Sequence, residues 1–416
     1  MVHRPNYPFL FVSLCFCILI SIAQWLGSHN VFWEGKEETY FWTPNEIVSS
    51  SRSTVLPNVT LIKPSQSSEG NKNNIHNNKS YDGHPVNESF SACLLIMDDN
   101  FRLREWIAYH YHVLSLRYLI VAVDPKSKES PDLILEQFRN HLDMTILLWN
   151  ESEYLVWEEE SITPRKKYLI RQRRFLSHCL EFLYHQNRTW TALWDTDEYI
   201  SFNKYNFTRQ HPTSGNRATS ASDMSKQGAI LEYLTSYGER NCIAMPRALV
   251  GNQETPSILN ESHPLNPNRF DTLRFRYRGF FTAKENGIGK CMLNVQQITT
   301  FPIVVLNPHR PVLEICPPPQ GGIFLSSPFY LNHFVGSWEA YSYRDDSRKG
   351  RERSYEAYII KSRHNRIYEV NIWPWMGAFM EQVGLERGMI LVKDSGLDSN
   401  YNASYKIKEW KQKILK

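Results

Sequence analysis

No CxxC pair occurs in the 416 residues, so a zinc ribbon or a thioredoxin-type dithiol has no basis in this chain. Charge of one sign is not in excess either. Lys and Arg number 47 against 43 Asp and Glu, a net +4, whereas a dedicated nucleic-acid binder carries a larger basic surplus. Internal repeats are missing as well, which removes repeat architectures. What is plentiful is aromatic side chains: at 13% they exclude a mostly disordered chain and permit a ring-lined ligand cleft. With 42% hydrophobic residues, the length suits one large domain or two medium ones.

Charge is absent once more from Tyr7 to Leu26, YPFLFVSLCFCILISIAQWL, an apolar run of the length needed to cross about 30 Å of hydrocarbon as a helix. Arg4 precedes it and no acid does, so the positive-inside tendency leaves 1–6 in the cytosol and sends the rest into the secretory lumen. Ser21 and Ala23 form a small-x-small pair, making a cleaved signal peptide the alternative. Apolar character nevertheless continues through Trp25 and Leu26, and the expectation is an uncleaved type II signal anchor over 7–26 in the Golgi or endoplasmic reticulum membrane. Acceptor sequons at Asn58, Asn78, Asn87, Asn150, Asn187, Asn206, Asn260 and Asn402 agree with a lumenal chain. Outside the apolar run lie Cys93, Cys179, Cys242, Cys291 and Cys316. Their odd number allows one or two disulfides and leaves at least one thiol.

Residues 27–90 read as a flexible stem, since from Ser49 to Ser91 Ser, Asn, Lys, Gly and Pro dominate and offer little to bury. From Ser91 the texture changes. SACLLIMDD suits a doubly buried strand, RLREWIAYHYHVL a helix, RYLIVAVD a strand, PDLILEQFRNHL a helix and MTILLW a strand. Pro164 opens a long helix with Leu169, Phe175, Leu176, Cys179, Leu180 and Leu183 on one side and a basic set, Arg165, Lys166, Lys167, Arg171, Arg173 and Arg174, expected to face water. TWTALWD follows as a fourth strand. This alternation predicts a mainly parallel, Rossmann-like sheet flanked by helices. Further strand-like pieces are CIAMPRALV, LRFRYRGFF and TFPIVVL, and a helix is expected within GSWEAYSYRDDSRKGRERSYEAYI. The globular domain is placed at 91–395, with 396–416 as a tail.

The strongest chemical signal is WDTDEY. In an extended chain the side chains of Asp195 and Asp197 project to one face, and hard divalent cations want such paired carboxylates. The pair falls beyond the carboxyl end of a strand, where open α/β sheets bind ligands.

The series EWIAYH (Glu105 to His110), a second strand ending at Asp124, Gln172 seven residues before Cys179, Trp190 and DTDEY resembles the family 92 glycosyltransferases and their relatives in the family 2-like group, with Tyr199 where those have Phe. Lys290 in GKCM, His309 in NPHRP and His333 in LNHFVGSWEAYSYRDDSR are similar to their later motifs. The resemblance, over about Ser91 to Arg353, implies a GT-A fold. In it Asp195, Asp197 and His333 would hold a divalent metal, commonly manganese, and Asp98, Glu105, Asp124 and Lys290 would bind the nucleotide sugar. It also implies an inverting transfer to a glycan or polysaccharide. Such a transfer needs a general base, for which Glu198, Glu339, Asp345 and Asp346 are candidates; Glu198 could instead orient a metal ligand. Two other readings stay open. One is a non-catalytic lumenal carbohydrate-binding protein with this fold. The other, a metal-dependent phosphate-ester hydrolase, lacks the clustered His and Asp of a two-metal site.

Overall fold

A computed structural model describes residues 89–155, 164–204, 223–237, 241–252, 265–280, 286, 289–316, 327–344, 353–362, 366–369 and 371–397, all within the second of two compact units, Asn71–Lys416. The apolar run 7–26, nearly all of the stem, Asp345, Asp346 and the chain beyond 397 lie outside the described residues. Among the described residues no helix is long and apolar enough to cross a membrane.

The chain runs β1 (Phe90–Ile96), α1 (Asn100–Val113), β2 (Leu116–Val123), α2 (Asp132–His141), β3 (Thr145–Trp149), α3 (Pro164–His185) and β4 (Trp190–Ala192), the alternation expected from sequence. There follow β5 (Glu198–Phe202), α4 (Ala229–Tyr237), β6 (Cys242–Met245), β7 (Arg247–Val250), α5 (Asp271–Arg274), β8 (Tyr277–Arg278) and β9 (Lys290–Asn294). The last elements are β10 (Phe329–Phe334), α6 (Trp338–Tyr343), α7 (Tyr355–Ser362), β11 (Ile367–Tyr368), α8 (Trp375–Val383) and α9 (Leu385–Val392).

These strands make two sheets. The first has the order β3-β2-β1-β4-β9-β6, parallel through β4 and antiparallel at β9 and β6. The second, β11-β8-β7-β10-β5, pairs antiparallel except for β10 with β7. A single mainly parallel sheet is therefore too simple: the fold is mixed α/β. CIAMPRALV divides at Pro246, which has no N–H for a ladder, and the chain there leaves the first sheet for the second. LRFRYRGFF yields only α5 and the short β8, and TFPIVVL is not a strand at all but a loop that buries Ile303 and Val305.

Alternation along β1 explains why its run is continuously apolar. Phe90, Ala92, Leu94 and Ile96 join one core, and Cys93 faces the other, which Phe175, Leu176, Cys179, Leu180 and Leu183 of α3 build from the far side. Cys93 and Cys179 are disulfide-bonded across that layer, Cys242 pairs with Cys316, and Cys291 is a buried thiol. The three sulfurs of Cys242, Cys291 and Cys316 lie within 4.8 Å of one another, but two of them are spent in the disulfide. With Cys93 and Cys179 86 positions apart in sequence, the chain-entropy treatment assigns the link about 4–5 kcal/mol. The Cys93→Ser/Cys179→Ser double variant should lose stability of that order in equilibrium unfolding.

One helix breaks the amphipathic rule. Every residue of α1 is buried, so its charged and polar side chains each need a partner inside the protein. Arg104 bonds the Leu391 carbonyl, and His112 sits between the Gln382 amide oxygen and the Ser225 carbonyl. The other partners of α1 belong to the site.

Candidate functional site

Asp195 and Asp197 lie in the joint between the two sheets, after β4 and before β5. The extended geometry expected for them is replaced by a turn, in which the Glu198 N–H donates to the Asp195 carbonyl at 3.0 Å. The turn is held from α1. Trp106 Nε1 donates to that same carbonyl at 3.0 Å, and Thr196 Oγ1 donates to Asp99 Oδ2 at 2.9 Å. Before it, Trp194 Nε1 donates to His110 Nε2 at 3.2 Å, which leaves the proton on His110 Nδ1 for the Trp106 carbonyl at 2.8 Å. The EWIAYH motif is thus a clamp on the DTDEY turn.

Burial pushes the His110 ring down to about 3. In an unfolded chain the imidazole takes a proton near pH 6.5. Between those values the unfolded state binds one proton more, so the contribution of His110 is fully present above pH 6.5 and declines as pH falls, by up to about 1.4 kcal/mol per unit. On lowering pH from 7 to 5, the wild type should lose roughly 2 kcal/mol more unfolding free energy than His110→Phe. Equal losses would mean that His110 is not the proton-linked group.

Around the turn, carboxylates and cations interleave. Lys290 Nζ lies 2.9 Å from Asp195 Oδ2 and 3.3 Å from Glu198 Oε2. His333, at the end of β10, places Nε2 3.5 Å from Asp197 Oδ2 and Nδ1 3.5 Å from Glu198 Oε1. Arg344 pairs with Asp99 and reaches Asp197 Oδ2 at 3.6 Å. Arg102 donates to Asp271 Oδ2 at 2.7 Å and to the Val335 carbonyl at 3.2 Å. Burial acts to raise Asp197, but His333, Arg344, Arg102 and Lys290 together draw it below the usual carboxylate range. Glu198 is likewise opposed by burial and held at about 2 by Lys290 and His333. Lys290 loses solvation, yet Asp195 and Glu198 raise it above the ordinary lysine value.

Two glycines make these approaches possible. A Cβ on Gly289 would overlap the Met245 carbonyl oxygen, so only glycine lets the chain entering β9 pass β6 and deliver Lys290. Gly336, at φ +78°, has the Arg102 guanidinium where a Cβ would stand.

The remaining sequence candidates divide. Glu105 is turned away from the turn. Its carboxylate accepts from the Asp271 N–H, the Thr272 N–H and the Thr272 hydroxyl at 2.6–2.9 Å, capping α5, and burial with the Asp271 charge pushes it up to about 8. Asp98 accepts from the Lys128 N–H at 2.6 Å and Asp124 from the Lys126 N–H at 3.0 Å, so both organise the loop after β2. Asp124 also takes Arg171 at 2.7 Å, while Arg171 bonds Glu151; Arg171 is therefore buried and does not belong to the wet face expected of α3. Glu339 is half-buried in the first turn of α6. His309 donates from Nδ1 to the Gly289 carbonyl at 2.6 Å, beside Lys290. Sequence reasoning missed Asp99, Arg102 and Arg344. Only their position beside recognised motifs could have flagged them.

Oxygen and imidazole donors suit a divalent cation such as manganese. Asp197 Oδ1 is buried with no hydrogen-bond partner, and the Asp195 side chain is 43% exposed; both are oxygens available to a cation. Among the described residues, however, Asp195, Asp197 and His333 do not bring three ligand atoms within 4.8 Å of one another, since Asp195 leans to Lys290.

No family model and no curated protein matches this chain. Among solved structures, the crystal structure of S. aureus TarS matches at 13% identity over 42% of this chain, with a TM-score of 0.19. The match spans 24% of the TarS chain, about a quarter of its length.

Proposed function

We propose that this protein is a GT-A-type glycosyltransferase that moves a sugar from a nucleotide sugar to a glycan or polysaccharide acceptor, with inversion and with a divalent metal, manganese by preference. The observation that carries the reading is the mixed-charge turn at the carboxyl end of β4. Lys290 and Arg344 reach the same carboxylates that a cation would use, and together they suit an anionic diphosphate. Asp195, Asp197 and His333 would hold the metal, whose chemistry when bound is that of a Lewis acid stabilising the departing nucleoside diphosphate. Asp98 and Asp124 fix the loop after β2 that would border the nucleotide.

Glu198 does not suit the part of base, because it is buried, ionised and committed to Lys290, His333 and the Asp195 N–H, which donates to it at 2.9 Å. Glu339, Asp345 and Asp346 remain for that role. We place the domain in the lumen of the Golgi or endoplasmic reticulum behind a type II anchor at 7–26. The sequon residues Asn150 and Asn187, within the described residues, are both exposed as acceptors must be.

Thermal melting of the full-length chain with manganese and a panel of nucleoside diphosphates tests the reading. A matching diphosphate at about 100 times its Kd should stabilise by about 2.7 kcal/mol, only with the metal. A melting temperature indifferent to every diphosphate would remove the donor site.

A further inference from the structure

Two pairs of chain neighbours meet beside the charged turn. Asp98 and Asp99 lie between β1 and α1, and Tyr343 and Arg344 lie at the end of α6. Asp98 has left-handed backbone, φ +56°, a conformation that Asp tolerates better than most residues. The two adjacent carboxylates serve different segments. That of Asp98 accepts from the Lys128 N–H at 2.6 Å and lies 3.6 Å from Lys128 Nζ, in the loop after β2. That of Asp99 accepts from Thr196 Oγ1 within the turn and pairs with Arg344, whose Nη2 reaches Asp197 Oδ2 at 3.6 Å.

Lys128 joins the two sides. The carbonyls of a helix's last turn have no partner within the helix, and that of Tyr343 accepts from Lys128 Nζ at 2.6 Å. The same ammonium lies 4.7 Å from the centroid of the Tyr343 ring. The Tyr343 hydroxyl donates to Glu129 Oε1 at 2.9 Å, and the ring meets Phe101, in the first turn of α1, edge to face with centroids 6.2 Å apart. Asp98, Lys128, Tyr343, Arg344 and Asp99 therefore form a closed circuit in which the links 98–99 and 343–344 are covalent. Fixing a long lysine side chain costs rotamer freedom, and a lone surface ion pair returns little. Here a carboxylate, a carbonyl and a ring hold one ammonium. The Lys128 side chain is 38% exposed and that of Arg344 20%, so both are within reach of a ligand from solvent.

We infer that this circuit couples the loop after β2 to the charged turn, with Lys128 and Tyr343 as positioning residues that set Arg344 on Asp99 and Asp197. The inference rests on the glycosyltransferase reading and deepens it: the loop that would border the nucleotide also fixes the arginine that would meet the diphosphate.

The test uses the full-length chain. Calorimetric titration of UDP and GDP in manganese compares the wild type with Lys128→Met, Arg344→Gln and the double variant. Arg344→Gln should weaken binding about tenfold, the worth of one charge-assisted hydrogen bond, and Lys128→Met about fivefold. In the double variant the second substitution should add little, because Lys128 acts through Arg344. Lys128→Arg, which can still donate to the Tyr343 carbonyl, should restore most of the loss. Losses that multiply, or a Lys128→Met affinity equal to that of the wild type, would overturn the positioning role. Hydrogen exchange reads the same coupling without nucleotide. Arg344→Gln should speed exchange of the Ser127 and Lys128 amides about threefold or more while the amides of β1 keep their rates. Unchanged exchange at Ser127 and Lys128 would overturn the coupling. Faster exchange there, in a chain that binds neither diphosphate, would keep the circuit and remove the donor reading.

Discussion

Asp195→Ala is expected to lower turnover on the order of 10²- to 10³-fold, the usual cost of deleting one group that stabilises developing charge. It should do so without unfolding the protein. The Asp195 side chain is 43% exposed and its contact is with Lys290, which keeps Glu198 as a second partner. Asp197→Ala should differ in kind. That carboxylate is 8% exposed and faces His333, Arg344 and Arg102, so its removal takes the balancing negative charge from between two buried guanidiniums, which keep only Asp99 and Asp271, and should depress the melting temperature along with the rate. Measuring kcat and melting temperature for both variants separates the two roles. Equal melting losses would show that Asp195 is as structural as its neighbour.

Glu198→Ala is expected to cost roughly 3–5 kcal/mol of stability, because it removes one partner from a buried ion pair. Three groups lose their contact at once: Lys290 Nζ at 3.3 Å, the Asp195 N–H at 2.9 Å and His333 Nδ1 at 3.5 Å. A general base would behave otherwise. Its loss would spare the unfolding free energy and abolish the acidic limb of the pH–rate profile, where the rate falls as the base takes up a proton, whereas Glu198, held ionised at about 2, has no titration to contribute near neutrality. Chemical denaturation of Glu198→Ala together with its pH–rate profile distinguishes a clamp from a base.

Apart from α1, which is buried all round, the elements before Asp195 were legible because each is a short apolar run or carries a clear period. β1, β2 and β3 are short runs bounded by polar turns, and α3 shows its buried side plainly. Arg171 was misread for the same reason: helical period marks a polar face but not the two carboxylates, Asp124 and Glu151, that other elements bring to it. The second sheet was less legible. Its strands are two to six residues long, and their partners lie far away in sequence, as in the pairing of Glu198 with His333. Within the site, the motif residues announced themselves by type and spacing, but their division of labour did not. Glu105 reads as a nucleotide ligand until Asp271 and Thr272 are seen donating to it. Asp99, Arg102 and Arg344 carry no spacing signal, since each acts only through contacts made by the fold.

The central claim is that the charged turn between the two sheets serves nucleotide-sugar chemistry. The most direct measurement is release of nucleoside diphosphate by the full-length chain against a panel of nucleotide sugars with pooled oligosaccharide acceptors, in manganese and in chelator. Release from one donor class, dependent on manganese and lost in Asp195→Ala, is the result predicted. Release from none of the donors, or release that persists in Asp195→Ala, would contradict it.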